Sequence, residues 1–204
     1  MIRRLAIVAL VLAAILGISQ LVIPPIVEHR ISDRLTAAGG SAHVSVSAFP
    51  AARLLFGDGS GITVTGTGLN LTPDSSGAGV FSDLDGYDHV AVSLEHFRAG
   101  PFQLGSFNLT RPGPDAPYHL VARGRTTPID LASFGASQAG LPGGPILSYL
   151  GDQVLGRDFI PIALDMQLES DGGRIVVTSG TGTVAGIPTG PLAEIITSVV
   201  AVKL

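Results

Sequence analysis

Five histidines, an aspartate-rich loop and a glycine-rich turn are the places in this chain whose residue types could do chemistry. His29, His43, His89, His96 and His119 could serve as metal ligands or general bases. None stands in an H-E-x-x-H spacing, and no two share a helix face at i, i+4, so a zinc site is unsupported. Glu95 and His96 are neighbours in a strand pattern, where successive side chains point to opposite faces, so they are not expected to form a local dyad. Asp83-Leu84-Asp85-Gly86-Tyr87-Asp88 places three carboxylates in six residues. Calcium needs six to eight oxygens, and no bidentate glutamate follows at the EF-hand distance, so a turn with solvated acids is expected. The glycines from Gly57 to Gly61 lead into a strand and not into a helix N-terminus, so they lack the aligned amides of a phosphate cradle. No G-x-S-x-G, G-x-x-x-x-G-K-[ST] or helix-opening G-x-G-x-x-G is found. With no cysteine, thiolate metal sites, thiol nucleophiles and disulfides are excluded together. The expectation is a protein that is not an enzyme and carries no cofactor and no metal.

The elements that hold these residues are unusually apolar. Of 204 residues, 46% are hydrophobic and only 14% charged, against an ordinary charged share of about 25%. Such a chain can bury a sizeable core, which excludes wholesale disorder. Nucleic acid is excluded as a partner, because Lys+Arg is 12 against Asp+Glu 16 and no basic run exists beyond Arg3-Arg4. The basic residues are arginine apart from Lys203, and alanine and glycine are abundant, a bias typical of high-GC bacterial coding sequences.

Part of the apolar excess faces a membrane. After the basic start Met1–Arg4, the stretch Leu5–Ile23 has no charge and only Ser19 and Gln20 as clearly polar members. As a helix it would be about 28 Å long, close to bilayer thickness. Residues 1–23 therefore read as a retained signal anchor, with a cleaved signal peptide as the alternative; the region after the stretch lacks a good small-x-small cleavage pattern. Arg3 and Arg4 place the N-terminus in the cytoplasm. Residues 24–204 are then an extracytoplasmic domain on the periplasmic side of the cytoplasmic membrane, or secreted after cleavage.

Pro24-Pro25 is expected to end the span or begin the next helix. Val27, Ile31, Leu35 and Ala38 recur at helical spacing, and Gly39-Gly40 stops that helix. Alternating patterns then mark strands over 43–49, 62–71, 89–97, 102–109, 118–125, 161–170 and 174–184. Asp171-Gly172-Gly173 joins the last two as a hairpin, and the loops 73–86 and 111–117 also read as hairpin connections. Thr127-Pro128 is an N-cap followed by Pro at the first helical position; further helical patterns cover 144–155 and 192–204. The fold class is α+β: an N-terminal anchor helix, then a curved antiparallel sheet wrapped around an amphipathic helix. A six-residue strand is about 20 Å long, similar to an extended acyl chain, so such a sheet can enclose either a dry core or an apolar groove.

The residues Ile31-Ser32-Asp33-Arg34-Leu35, then His43 to Pro50, then Leu54-Leu55 with Gly57, then Ile62 to Thr65, resemble the N-terminal signature of the LmeA-like family of actinobacterial cell-envelope proteins. The resemblance is best over about residues 24–100. It implies a periplasmic phospholipid-binding protein with a tubular lipid-binding fold, similar to bactericidal/permeability-increasing protein, and a role in transfer or in assembly of lipomannan-type envelope glycolipids. No catalytic residues come with it. The residues expected to line a lipid groove are Val27, Ile31 and Leu35 from the helix, Leu54 and Leu55 at its lip, with plain core as the equal alternative for these two, and Val90, Val92, Leu94, Ile162, Leu164, Met166 and Leu168 from the sheet. The partners expected are phospholipid or another acyl lipid, and the membrane. The competing reading is a non-catalytic accessory protein without a lipid, docking on a membrane enzyme or secretion partner through its apolar C-terminal helix.

Overall fold

The computed structural model describes residues 2–71, 82–130, 159–184 and 187–188; the side chains of 2–13, Ile15, Ser82, Arg174, Ile175, 183–184 and 187–188 lie outside the description. The chain is α+β, with an N-terminal helix and a large curved sheet. Helix α1 (Ile2–Thr36) is followed by β1 (Ser41–Ser47), a 3-10 turn η1 (Ala51–Phe56), β2 (Gly59–Thr67) and the short β3 (Asn70–Leu71). Then come α2 (Ser82–Asp85), β4 (Tyr87–Ala99), β5 (Phe102–Arg111), β6 (Tyr118–Thr126), β7 (Ile160–Asp171), β8 (Arg174–Val184) and β9 (Ile187–Pro188). They form one nine-stranded sheet in the order β1-β2-β4-β5-β6-β7-β8-β9, with β3 also on β4.

The hairpin expected at 73–86 is replaced by a crossover. β2 and β3 both pair with β4 in parallel, so the chain must return to the end where β2 began before it can run alongside. The fifteen residues between Leu71 and Tyr87 meet the dozen or so that a parallel connection needs. The remaining pairs are antiparallel, and the turn at Gly172-Gly173, with φ of 59° and 82°, is the expected hairpin.

Pro24 and Pro25 lie inside α1, which continues through both. Each proline removes one helical donor, leaving the carbonyls of Gln20 and Leu21 without their i+4 N–H. The helix is held instead by the strand beside it. α1 packs on β1 and η1, and its polar side chains occupy the free edge of β1. Ser32 Oγ donates to Ala42 O (3.1 Å), and Val46 N–H donates to Glu28 Oε1 (2.9 Å). The Gln20 amide, with its nitrogen turned toward Ala48, donates to Ala48 O (3.2 Å) and accepts from Ala51 N–H (2.9 Å).

Period-two alternation fixes the core. β7 buries Ile160, Ile162, Leu164, Met166 and Leu168 and exposes the residues between. In β4 and β5 the inward phase slips by one residue, from Leu94 to Phe97 and from Leu104 to Phe107. At the slip His96 has φ 49°, and the Phe97 and Phe107 rings meet edge to face, 6.2 Å apart. Glu95 and His96 are consequently both exposed, which corrects the expectation that they point to opposite faces.

Among the described residues no helix is long and apolar enough to cross a membrane; most side chains of the Leu5–Ile23 stretch lie outside that description. Thr127 Oγ1 accepts from Asp130 N–H (3.1 Å), as an N-cap does. The helices expected at 144–155 and 192–204 lie outside the described residues.

Candidate functional site

The groove residues expected from sequence fall into two groups. Val90, Val92, Leu94, Ile162, Leu164, Met166 and Leu168 are each at most 4% exposed. With Ile31, Leu35 and Leu54 they belong to one continuous apolar cluster, against which Val27 packs half-buried. Leu55 is 66% exposed, outside that cluster.

Val27, Ile31, Leu54 and Leu55 border one cleft of about 280 Å³ between α1, η1, β2 and α2. The helix contributes Val27, Arg30, Ile31 and Arg34, spaced i, i+3, i+4 and i+7, so they share one face. In η1 three residues make a turn, so Ala51 and Leu54 point inward together while Leu55 and Phe56 point out. Ile62, Leu84 and Tyr87 complete the apolar floor, and Asp83 stands at its α2 side. α2 reaches this place because Gly86 has no side chain: a Cβ there would lie 2.1 Å from Gly57 O. The close approach is sealed by Gly59 N–H donating to Gly86 O (3.0 Å).

The cleft is apolar below and basic at its rim. Arg30 and Arg34 are exposed, and among the described residues neither lies within ion-pair distance of a carboxylate. Burial, followed by the charges of Asp83 and Asp58, raises the Tyr87 pKa and keeps its phenol neutral. Among the described residues no Ser, Thr, His or Lys lines the cleft. Chemically, two exposed guanidiniums can accept an anion such as a phosphate, and an aliphatic floor can accept an apolar chain.

The main polar construction of the fold lies close by, and sequence reading missed it. Asp85 is not a solvated acid of a turn. Its Oδ1 accepts from Tyr118 Oη (2.9 Å) and from Arg111 Nη1 (3.4 Å), and its Oδ2 accepts from Ser170 Oγ. Arg111, 5% exposed, donates through Nη2 to the carbonyls of Leu84 (3.2 Å), Asp85 (3.2 Å) and Tyr87. Its guanidinium also lies 4.7 Å from the centre of the Tyr118 ring. Burial raises the Tyr118 pKa; Arg111 opposes the rise, while the charge and hydrogen bond of Asp85 add to it. Only one sign of this was available beforehand: extending the β5 alternation by two residues puts Arg111 at an inward position after Leu109. An arginine at a core position must be paired.

The histidines lie apart. His119 pairs with Asp165 across β6 and β7 (2.8 Å) on the exposed face, and His29 with Asp33 one helical turn on (3.5 Å). Among the described residues no three of His, Asp or Glu are grouped so as to hold a metal ion. No family model matches the chain, and neither a curated protein nor a solved structure is found to match it.

Proposed function

We propose that this chain is a phospholipid-binding protein of the bacterial cell envelope, anchored by its N-terminal helix and facing the extracytoplasmic side. The observation that carries the reading is the cleft itself, an apolar floor of Ile31, Leu54, Ile62 and Leu84 rimmed by Arg30 and Arg34, which have no carboxylate partner among the described residues. An acyl chain would lie on the floor and the phosphate against the guanidiniums. The floor residues belong to the same packed apolar cluster as the other groove residues named from sequence, and the tubular architecture, with the sheet wrapped around the helix, is part of the same proposal. The resemblance to LmeA-like proteins points the same way, toward lipid transfer or support of glycolipid assembly.

The test is photo-crosslinking of the full chain in vesicles with a phospholipid bearing a diazirine on its acyl chain, followed by peptide mapping. Adducts on Ile31, Ile62 and Leu84, displaced by unlabelled phospholipid, are expected. Adducts confined to residues 5–23 would overturn the reading and favour the accessory protein without a lipid.

A further inference from the structure

Eight of the twelve large apolar side chains exposed among the described residues lie in two adjoining places. Leu16, Ile18, Leu21, Val22 and Ile26 are on α1, and Phe49, Leu55 and Phe56 are on and before η1, with Phe49 at 76% and Phe56 at 83% exposure. We propose that the 49–56 segment is a second membrane contact, an interfacial foot embedded in the outer margin of the bilayer that holds α1. The proposal rests on the anchor reading above.

Three observations carry it. The outward face of α1 stays apolar and exposed up to Ile26, and the first charges follow at Glu28 and Arg30. From Leu5 to Ile26 the helix rises about 33 Å, whereas Leu5 to Ser19 covers only about 22 Å, short of a hydrocarbon core of about 30 Å. A bilayer that fits the helix must therefore reach beyond Gln20. Gln20 is tied to Ala48 O and Ala51 N–H, so whatever covers Gln20 also covers the root of η1. The same two hydrogen bonds satisfy the Gln20 amide, as any polar group at that depth requires.

The foot is also rigid. Ala51 and Leu54 are buried beneath it, and Gly57 N–H and Asp58 N–H close the turn onto Leu54 O and Arg53 O (3.2 and 3.1 Å). Apolar side chains on a fixed turn enter an interface without losing loop freedom on binding. The choice of a bilayer over a protein partner follows from continuity: the foot's neighbour is the apolar stretch of a membrane-length helix, at the level where that helix leaves the membrane. A consequence is that Arg30 and Arg34 stand at headgroup height, with the cleft mouth beside the lipid surface.

The chain has no tryptophan, so single substitutions report cleanly. Leu16→Trp, Phe56→Trp and Ile129→Trp are placed in the full chain, reconstituted in phosphatidylcholine–phosphatidylglycerol vesicles with or without brominated acyl chains. Ile129 is 75% exposed beyond the opposite end of the sheet, after β6. The expected result is blue-shifted emission with bromine quenching for Leu16→Trp and Phe56→Trp, and neither for Ile129→Trp. Leu55→Trp repeats the measurement should Phe56→Trp disturb the turn. Quenching at Leu16→Trp alone overturns the foot while leaving the anchor standing. No quenching at any position overturns the anchor and the foot together. Equal quenching at all three means adsorption without orientation, and also overturns the foot.

Discussion

Arg111 and the pair Arg30/Arg34 carry the same charged group into opposite circumstances. Arg111 is buried, and its two terminal nitrogens are spent on three backbone carbonyls and on Asp85, under a tyrosine ring, while its Nε has no partner among the described residues. It joins α2 to β5 and, through Asp85, to β6 and β7, so it assembles the end of the sheet against which the cleft is built. Arg30 and Arg34 stand a helical turn apart with no carboxylate partner among the described residues. A buried guanidinium with both terminal nitrogens engaged is architecture. One left free beside an apolar floor is available to a ligand.

The sharpest way to break this contrast is Arg111→Ala. It leaves three carbonyls and the partly exposed Asp85 short of donors, and loss of hydrogen bonds from a charged group costs about 1.5–3 kcal/mol. Urea unfolding followed by far-UV circular dichroism reads the loss; a change within about 0.5 kcal/mol, the ordinary surface range, would place Arg111 with the other arginines. The converse variant, Arg30→Glu with Arg34→Glu, should leave unfolding within that range. It should weaken capture of anionic phospholipid about tenfold, or ~1.4 kcal/mol. Unchanged capture would remove the arginines from the site.

Tyr118→Phe is the next smaller effect. Loss of its hydrogen bond to Asp85 should cost about 1 kcal/mol at neutral pH. Because the folded Tyr118 and Tyr87 pKa values are raised, both phenols stay neutral while those of the unfolded chain ionise. The stability they supply is complete below the ordinary tyrosine pKa of about 10 and is lost as pH rises above it. Tyr118→Phe should flatten that alkaline decline in unfolding free energy, and an unchanged slope would count against the raised value. The smallest effect is that of salt. At ~1 M ionic strength, where screening acts within about 3 Å, the preference for anionic lipid should fall a few-fold. The stability difference between wild type and Arg111→Ala should not move; if it did, Arg111 would be behaving as a solvated charge.

Much of the sheet was legible because one-sided burial writes itself as alternation. Ile162, Leu164, Met166 and Leu168 announce β7, and Asp171-Gly172-Gly173 announces its hairpin. The parallel β2–β4 pair was not legible, since turn residues mark where a strand stops and not where the chain goes next. Pro24-Pro25 misled because the local rule against proline in a helix was overridden by contacts with β1. The cleft was half legible: Val27, Ile31 and Leu54 follow from pattern, but in η1 the three-residue period turned Leu55 outward beside a buried Leu54. The Asp85–Arg111–Tyr118–Ser170 cluster joins residues up to 85 positions apart, and no local pattern encodes such a meeting.

The hydrogen bonds from α1 to the rim of β1 have a further consequence, for association between copies of the chain. An uncovered strand margin is a template on which a second chain can add. Here that margin is guarded by Glu28 and Ser32 of α1, and Gln20 of the same helix holds Ala48 and Ala51 just beyond it. A cut near residue 23 would strip Gln20 away and free Ala48 O and Ala51 N–H, while Glu28 and Ser32, on the retained side of the cut, would keep their bonds to β1. Resistance to self-association at this edge thereby falls to two polar side chains one helical turn apart, Glu28 and Ser32.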